Sequence, residues 1–322
     1  MKTAPKRTTR TLAVGGRTLV ISNEDKVLWP DDGYTKGDLI AYYRAVAPWI
    51  LPHLAERPLT MERYPNGIAE SSFFEKHAPR GLPAWIPTVK VPTESGRRSE
   101  TEFVVCNDEP SLVYVANLAA IVLHIWTSRV AELEVPDFVF FDLDPGEGCT
   151  LASLAKVALG LRAALAEIGL GALVKSSGGS GLHVVVPLVP QYTYAIAKQF
   201  AELAATTLHG RMPDQTTLLR MPAKRPQGTV YLDYVQVGMG KTLVVPYGVR
   251  ARAKAPVSYP LEWDEVEAMS RKRARDTEGE FERFTIKNVP GLLAKRGDLW
   301  SGPGWKEQRL EPALAKAQKA WR

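Results

Sequence analysis

Two short apolar stretches, residues 12–14 and 18–21, predict a short two-stranded start. After Thr35 a helical pattern begins, where Leu39, Tyr42, Tyr43, Val46 and Ile50 recur at helical spacing behind an N-cap signal. Residues 78–99 are rich in Pro, Gly and charge, which predicts loop with one strand near 88–91. The apolar run over 112–129 reads as one long helix. Residues 135–143 form a near-continuous apolar run, as in a strand covered on both faces, and Pro145-Gly146 breaks it. Leu151, Leu154, Ala155, Ala158, Leu161, Leu165 and Ile168 then fall on one helical face, with Gly169 as a stop. Strands are predicted at 173–175, 182–188, 229–235 and 242–249, with helices at 194–208 and from 261 through the basic cluster 270–275. This order implies an α+β fold, a mixed sheet with helices packed against it. Nothing in the pattern marks a clean domain cut. The expected organisation is a flexible basic tail over 1–10, one domain over 11–310, and a C-terminal helix or tail over 311–322.

Composition narrows the class. Hydrophobic residues make up 45% and charged residues 24%, ordinary for a globular chain. The 41 Lys and Arg outnumber the 35 Asp and Glu, giving +6 and a pI near 9.2, a balance that suits a polyanionic partner. Two cysteines, Cys106 and Cys149, are too few for a disulfide framework or a structural zinc site. No apolar run approaches the ~20 residues of a membrane span, and no signal-peptide pattern follows the basic start. A cytoplasmic, nucleoid-associated location is expected, with no membrane partner.

Three segments carry candidate chemistry. In a strand, residues two apart share a face, so Asp142 and Asp144 present two carboxylates side by side while Leu143 points away. Such carboxylates repel unless a divalent cation or nearby arginines neutralise them, and the sequence leaves both readings open. The Lys175-Ser176-Ser177-Gly178-Gly179-Ser180-Gly181-Leu182-His183 loop is either a hairpin turn or a set of backbone N–H groups facing an anion, bracketed by Lys175 and His183. It is not a Walker A loop, since no Lys-Ser/Thr pair and no helix follow it. Asp233 sits inside the apolar stretch Val230-Tyr231-Leu232, where a third metal ligand explains it better than a surface position on an edge strand. Lys241, Arg250 and Arg252 lie on or after the following strand, with the two arginines on one face by a period of two. The adjacent rings of Phe73 and Phe74 suit base stacking or a split between core and surface. His124, in an apolar run read as helix, has the position of a satisfied core histidine.

Taken together, these motifs resemble the archaeo-eukaryotic primase superfamily, and within it the polymerase domain of bacterial ligase D or a stand-alone relative. The supporting stretches run in order from Asn23-Glu24-Asp25-Lys26 and Arg63-Tyr64-Pro65-Asn66-Gly67, through Phe73-Phe74-Glu75-Lys76 and Asp142-Leu143-Asp144-Pro145-Gly146. They end with Gly240-Lys241-Thr242, Tyr247-Gly248-Val249-Arg250-Ala251-Arg252 and Phe284-Thr285-Ile286-Lys287-Asn288. The resemblance implies a primase-polymerase fold, with an RRM-like mixed-sheet catalytic core and a packed N-terminal αβ subdomain. It implies Asp142, Asp144 and Asp233 as catalytic ligands of two divalent cations, Mn²⁺ or Mg²⁺. Nucleotide contacts would come from His124, Lys175, Ser177, His183, Lys241, Arg250 and Arg252, with His124 favouring ribonucleotides. DNA contacts would come from Arg63, from Phe73 and Phe74 at a gap, and from Lys26 and Lys36 on a downstream 5′-phosphate. Substrates would be NTP or dNTP with gapped or broken DNA; an ATP-dependent DNA ligase and Ku would be partners. The sequence departs from many relatives at Ser180, where Lys is frequent, at Glu62, and at Val237.

The implied activity is template-directed nucleotide addition in gap filling and non-homologous end joining. Three rival readings remain: a nuclease, which needs no nucleoside triphosphate; a non-catalytic 5′-phosphate end-binding module; and a primase that starts chains unprimed.

Overall fold

The computed structural model describes residues 8–92, 100–273, 280–302 and 305–321. By its internal contacts the chain divides into two compact units. The first comprises Met1–Ile125, Val244–Val257 and Phe284–Gly297; the second comprises Trp126–Leu243, Ser258–Arg283 and Asp298–Arg322. Both mix helices with antiparallel sheet, the α+β class the element order predicts.

In the first unit, β1 (Thr9–Val14) and β2 (Arg17–Ser22) form the expected hairpin. Thr9 and Arg10, within the tail expected over 1–10, pair with Ser22 and Ile21; residues 1–7 lie outside the described residues. After β3 (Val27–Trp29) and β4 (Tyr34–Thr35) comes α1 (Lys36–Leu54). Thr35 caps it as the sequence predicts: its hydroxyl accepts the Asp38 N–H at 3.2 Å, and the Asp38 carboxylate accepts the Thr35 N–H at 2.7 Å. That reciprocal pair satisfies two donors a helix start otherwise leaves without partners. Leu39, Tyr43, Val46 and Ile50 are fully buried along one stripe. The sheet of this unit contains β5 (Pro58–Arg63), β6 (Phe73–Glu75), β7 (Thr88–Pro92) and β8 (Glu100–Val105), with β5 central.

The expected helix over 112–129 is corrected. A shorter helix, α2 (Glu109–Asn117), stops at a turn in which Ala119 takes φ +57°, and β9 (Ala120–Trp126) follows, antiparallel to β5. Every residue of β9 except His124 is buried, so both faces are apolar and the period that separates helix from strand is erased. The β-branched Ile121, Val122 and Ile125 favour the strand.

The second unit is built on β10 (Phe138–Pro145), followed by α3 (Leu151–Glu167), β11 (Leu173–Ser176), β12 (Leu182–Pro187), α4 (Tyr194–Arg211), β13 (Thr216–Thr217) and β14 (Val230–Asp233). Then come β15 (Thr242–Val244), β16 (Pro260–Leu261), α5 (Trp263–Arg271), α6 (Val289–Arg296) in the first unit, and α7 (Leu310–Ala320). The sheet order is β13-β14-β10-β12-β11-β16, antiparallel throughout except for the parallel β13–β14 pair. Helices α3 and α4 pack on it, and Leu143 is fully buried. The Phe138 ring meets Trp305 edge-on at 5.7 Å, which covers the end of the sheet remote from Asp144.

Two further boundaries change. The expected strand 242–249 ends at Val244, because Tyr247 takes φ +68° and turns the backbone out of the extended region. The helix expected from 261 through 275 runs only from Trp263 to Arg271, and residues 274–279 lie outside the described residues.

Candidate active site

The pairing register of the second unit assembles the site. Lys175 on β11 faces His183 on β12, His183 faces Asp142 on β10, and Asp142 faces Asp233 on β14. Residues directly opposite in antiparallel strands share a face. These four side chains therefore form one row across four strands, about 14 Å long at ~4.8 Å per strand. Asp144 stands one pleat further along the same face, opposite Tyr231. A sequence-local pair and two residues far along the chain thus meet on one surface.

Each member of the row has defined partners. His183 Nε2 lies 3.4 Å from Asp142 Oδ1, and its Nδ1 lies 2.8 Å from Lys175 Nζ. Lys175 is fully buried and also donates to Ser258 Oγ. Asp144 Oδ2 accepts from Arg225 at 2.7 Å, and that guanidinium lies 4.1 Å over the Tyr231 ring while donating to the Leu219 and Arg220 carbonyls. Burial and the neighbouring Asp233 carboxylate push the Tyr231 hydroxyl up to about 12. Asp233 accepts the Val235 N–H at 3.0 Å and the Gln236 amide at 3.2 Å.

The donor set fits hard divalent cations, since three carboxylates stand on one face and the Asp142 and Asp144 side chains are 35% and 48% exposed. Backbone register, rather than side-chain rotamer, brings them together. Among the described residues no three His, Cys, Asp or Glu side chains are gathered on one centre, and Asp144 is turned to Arg225. Of the two alternatives the sequence left open, an arginine partner is present at Asp144, and the metal alternative rests on the shared face of the three carboxylates.

The loop joining β11 to β12 is held by Ser177, whose hydroxyl accepts the N–H groups of Gly179 and Gly181, both at 3.1 Å. Gly178 takes φ +72°, and a Cβ on Gly181 would lie 2.7 Å from the Leu143 carbonyl oxygen. Those two glycines are required by turn conformation and by close approach to β10, independently of any anion. A cavity of about 270 Å³ opens beside the loop, lined in part by Gly179, Ser180, Cys149 and Thr150.

Lys175, expected as a nucleotide contact, is fully buried, with its Nζ 2.8 Å from His183 Nδ1. Lys241 is exposed beyond a turn closed by its own N–H on the Gly238 carbonyl.

The other expected site residues belong to the first unit. His124 on β9 faces Thr60 on β5, and its Nε2 lies 3.9 Å from Glu62 Oε2. Phe74 faces Glu62 across β5–β6, and its ring is 5.8 Å from that of His124. Phe73 points to the other face, 5.2 Å beneath the Arg63 guanidinium, which is paired with Glu75 at 2.7 Å. Both rings are exposed, 45% for Phe73 and 61% for Phe74, so the expected alternative of one ring in the core does not hold. The Glu62 carboxyl is held below the usual range first by the His124 hydrogen bond, then by Tyr64, with charge from His124 and Arg250 adding to it. Arg250 and Arg252 lie on a loop rather than a strand, so the period-of-two argument for their common face fails. Lys26 Nζ bonds Asn66 Oδ1 at 2.8 Å. Lys36 is buried, its Nζ 3.2 Å from Ser22 Oγ and 3.1 Å from the Asn117 carbonyl.

Sequence reasoning missed Arg225, Tyr231 and Ser258. Arg225 had a faint signal, since it lies in a basic segment with Arg220 and Lys224 just ahead of the Asp233 strand. Ser258 had none: it is 83 residues from the lysine it receives from.

Three carboxylates on one face of a mixed sheet, beside a short Ser-Gly loop, are an arrangement suited to metal-assisted phosphoryl transfer. A family model described as "LigD, primase-polymerase domain" matches residues 35–300. The chain therefore belongs to the LigD primase-polymerase family, whose members are metal-dependent, DNA-directed nucleotidyltransferases. It is 35% identical over 248 residues to the multifunctional non-homologous end joining protein LigD of Mycolicibacterium smegmatis, covering 76% of this chain and 32% of that relative. It is 30% identical over 306 residues to the bifunctional LigD of Bacillus subtilis, covering 94% and 47%. The chain thus spans between a third and a half of the length of these relatives. The solved polymerase domain of Mycobacterium tuberculosis ligase D, in complex with DNA, superposes with a TM-score of 0.79 at 33% identity, covering 88% of this chain and 96% of that one. No helix among the described residues is long and apolar enough to cross a membrane.

Proposed function

We propose that this chain adds nucleotides, preferentially ribonucleotides, to a primer 3′-hydroxyl opposite a DNA template, at gaps or broken ends bearing a downstream 5′-phosphate. The observation that carries the reading is the in-register facing of Asp142 and Asp233, with Asp144 on the same face, in a chain of this family. Asp142, Asp144 and Asp233 would hold two divalent cations, Mn²⁺ or Mg²⁺, which supply Lewis acidity to the hydroxyl and neutralise triphosphate charge. In the transfer the primer O3′–Pα bond forms and the Pα–O bond to pyrophosphate breaks, with the hydroxyl proton leaving to solvent.

The chain's own groups bind and orient. His183 presents Nε2 on the carboxylate face as a donor for phosphate oxygens, and Ser177 fixes the loop beside it. Lys241, Arg250 and Arg252 are assigned to the triphosphate by the resemblance, and His124 to the sugar. Phe74 offers a ring for stacking. Lys26 is the better placed of the two lysines for a 5′-phosphate, because the Lys36 ammonium is bonded inward to Ser22 and Asn117. Action in non-homologous end joining, with an ATP-dependent ligase and Ku, follows from the relatives' names and from the resemblance.

The test is extension of a gapped, 5′-phosphorylated duplex with Mn²⁺, comparing NTP with dNTP and wild type with D142A/D144A. Templated addition lost in the variant supports the reading, and faster addition of NTP supports the sugar preference. Binding that depends on the 5′-phosphate without any addition would establish the end-binding module instead. Strand loss without triphosphate would establish a nuclease, and product without a primer an unprimed primase.

A further inference from the structure

Lys175 is a charged side chain on the carboxylate face to which the reaction just described gives no task. It is fully exposed to nothing: its relative accessibility is 0%, and that of His183 in front of it is 5%. Burying an ammonium is costly unless every donor finds an acceptor. A methionine would fill the same space without that cost, so the partners of Lys175 are where its use is to be found.

Hydrogen placement follows from counting donors. Ser258 Oγ is 2.8 Å from the Ser176 carbonyl oxygen, and its single hydrogen goes there. Lys175 therefore donates into Ser258 Oγ rather than receiving from it. Ser176 in turn is fixed from both sides, its N–H on the Tyr259 carbonyl at 2.9 Å and its Oγ receiving the Tyr259 N–H at 3.0 Å. The Lys175 ammonium is thus held by the β11 end and the segment just before β16, and lies 2.8 Å from His183 Nδ1. An ammonium has no lone pair, so this nitrogen of the imidazole must accept and cannot carry a hydrogen. The ring's hydrogen is then on Nε2, the nitrogen that lies 3.4 Å from Asp142 Oδ1 on the carboxylate face.

We infer that Lys175 is a positioning residue: clamped by Ser258, it donates to Nδ1 and holds His183 as the Nε2–H tautomer, aimed at Asp142 and at the phosphate oxygens of an incoming nucleotide. The half of this statement that concerns phosphate rests on the proposed function; the half that concerns the tautomer does not. Fixing a ligand-facing imidazole through its other nitrogen is a general use of a second hydrogen bond. Here the orienting group is a cation, which also adds a buried positive charge behind a face that gathers carboxylates.

The test uses the full chain with ¹⁵N-labelled histidine at pH 8, where long-range ¹H–¹⁵N spectra distinguish the two tautomers. The His183 signals among the five histidines are assigned by their loss in H183A. Wild type is expected to show Nε2–H alone, and K175M a mixture or the Nδ1–H form. The KM for nucleotide is expected to rise about tenfold in K175M with a smaller change in kcat. K175M added to H183A is expected to do nothing further, since a residue acting only through His183 has no effect in its absence.

Wild-type His183 in the Nδ1–H form would overturn the inference, and that measurement needs no variant to fold. An unchanged tautomer in K175M, or a full additional loss on top of H183A, would overturn it as well. A wild type that shows Nε2–H but adds no nucleotide would sink the proposed function and leave the tautomer assignment standing.

Discussion

Both units use cross-strand register to bring distant side chains to one surface, but they bring together different things. In the first unit, acids meet opposite or hydrogen-bonding partners: Glu75 pairs with Arg63 at 2.7 Å, and Glu62 lies among Tyr64, Ser72 and His124. In the second unit, Asp142 faces Asp233 in register, with Asp144 two residues along the same strand. Like charges opposed across strands are destabilising on their own. The second unit's acids have partners too, Arg225 on Asp144 and His183 beside Asp142, but they stand together on one face; those of the first unit are dispersed among their partners, and Phe73 and Phe74 are exposed. A surface that concentrates acids is suited to take up cations and their phosphate ligands. Under the proposed function, the metal-binding carboxylates belong to the second unit, and the stacking rings, with His124, Arg250 and Arg252, to the first.

The sharpest way to break this comparison is to remove the opposed acids. D142N or D144N is expected to lower nucleotide addition on the order of 10³-fold or more, and the double change little further, because groups acting as a unit are not additive. Primer-extension rates check this, with thermal unfolding confirming that each variant folds. Equal losses from E62Q and D142N would erase the distinction between the units.

Next in size is the support beneath the row. Leu143 is fully buried between the two aspartates, and L143A is expected to cost about 2–5 kcal/mol of stability. Denaturant unfolding measures it; a cost below ~1 kcal/mol would mean that β10 is not the rigid base the register implies.

The aromatic side of the comparison predicts unequal rings. F74A is expected to weaken gapped-DNA binding by about 1–3 kcal/mol, the worth of one stacked base. F73A is expected to do less, because that ring already lies beneath the Arg63 guanidinium. Fluorescence anisotropy at fixed salt reads both, and the reverse order would reassign the stacking ring.

The smallest effect is on pH dependence. Glu62 is held below the ordinary carboxylate range in the folded state, so it favours folding above the unfolded value near ~4.3. That contribution is lost as pH falls through the folded value. E62Q is therefore expected to lower the Tm at pH 7 and to converge on wild type only once the pH has fallen below the lowered folded value. A gap that persists in acid would assign Glu62 a packing role instead.

The candidate site was legible in the sequence to a particular depth. The Asp142–Asp144 pair needed only the period of two, and Asp233 announced itself as a charge in an apolar strand. The N-cap at Thr35 was equally local, because a capping box is written within four consecutive residues. His124 was misplaced onto a helix because β9 is apolar on both faces, and periodicity carries no information where there is no polar side. The strand expected over 242–249 failed for a different reason: Tyr247 takes a backbone conformation that its residue type does not advertise.

What the sequence determined by itself is the set of local chemistries: acids two apart on a strand, a Ser-Gly turn, adjacent aromatic residues, and a chain order that resembles one superfamily. What only the tertiary structure decided is which of these face each other. The strand register placed Asp233 opposite Asp142 and Lys175 opposite His183, and the segments outside the strands brought Ser258 to Lys175 and Arg225 to Asp144. Sequence periodicity fixes which face of a strand a side chain takes. The partner across the sheet depends on pairing between strands far apart in the chain, and that is set by how the whole core packs.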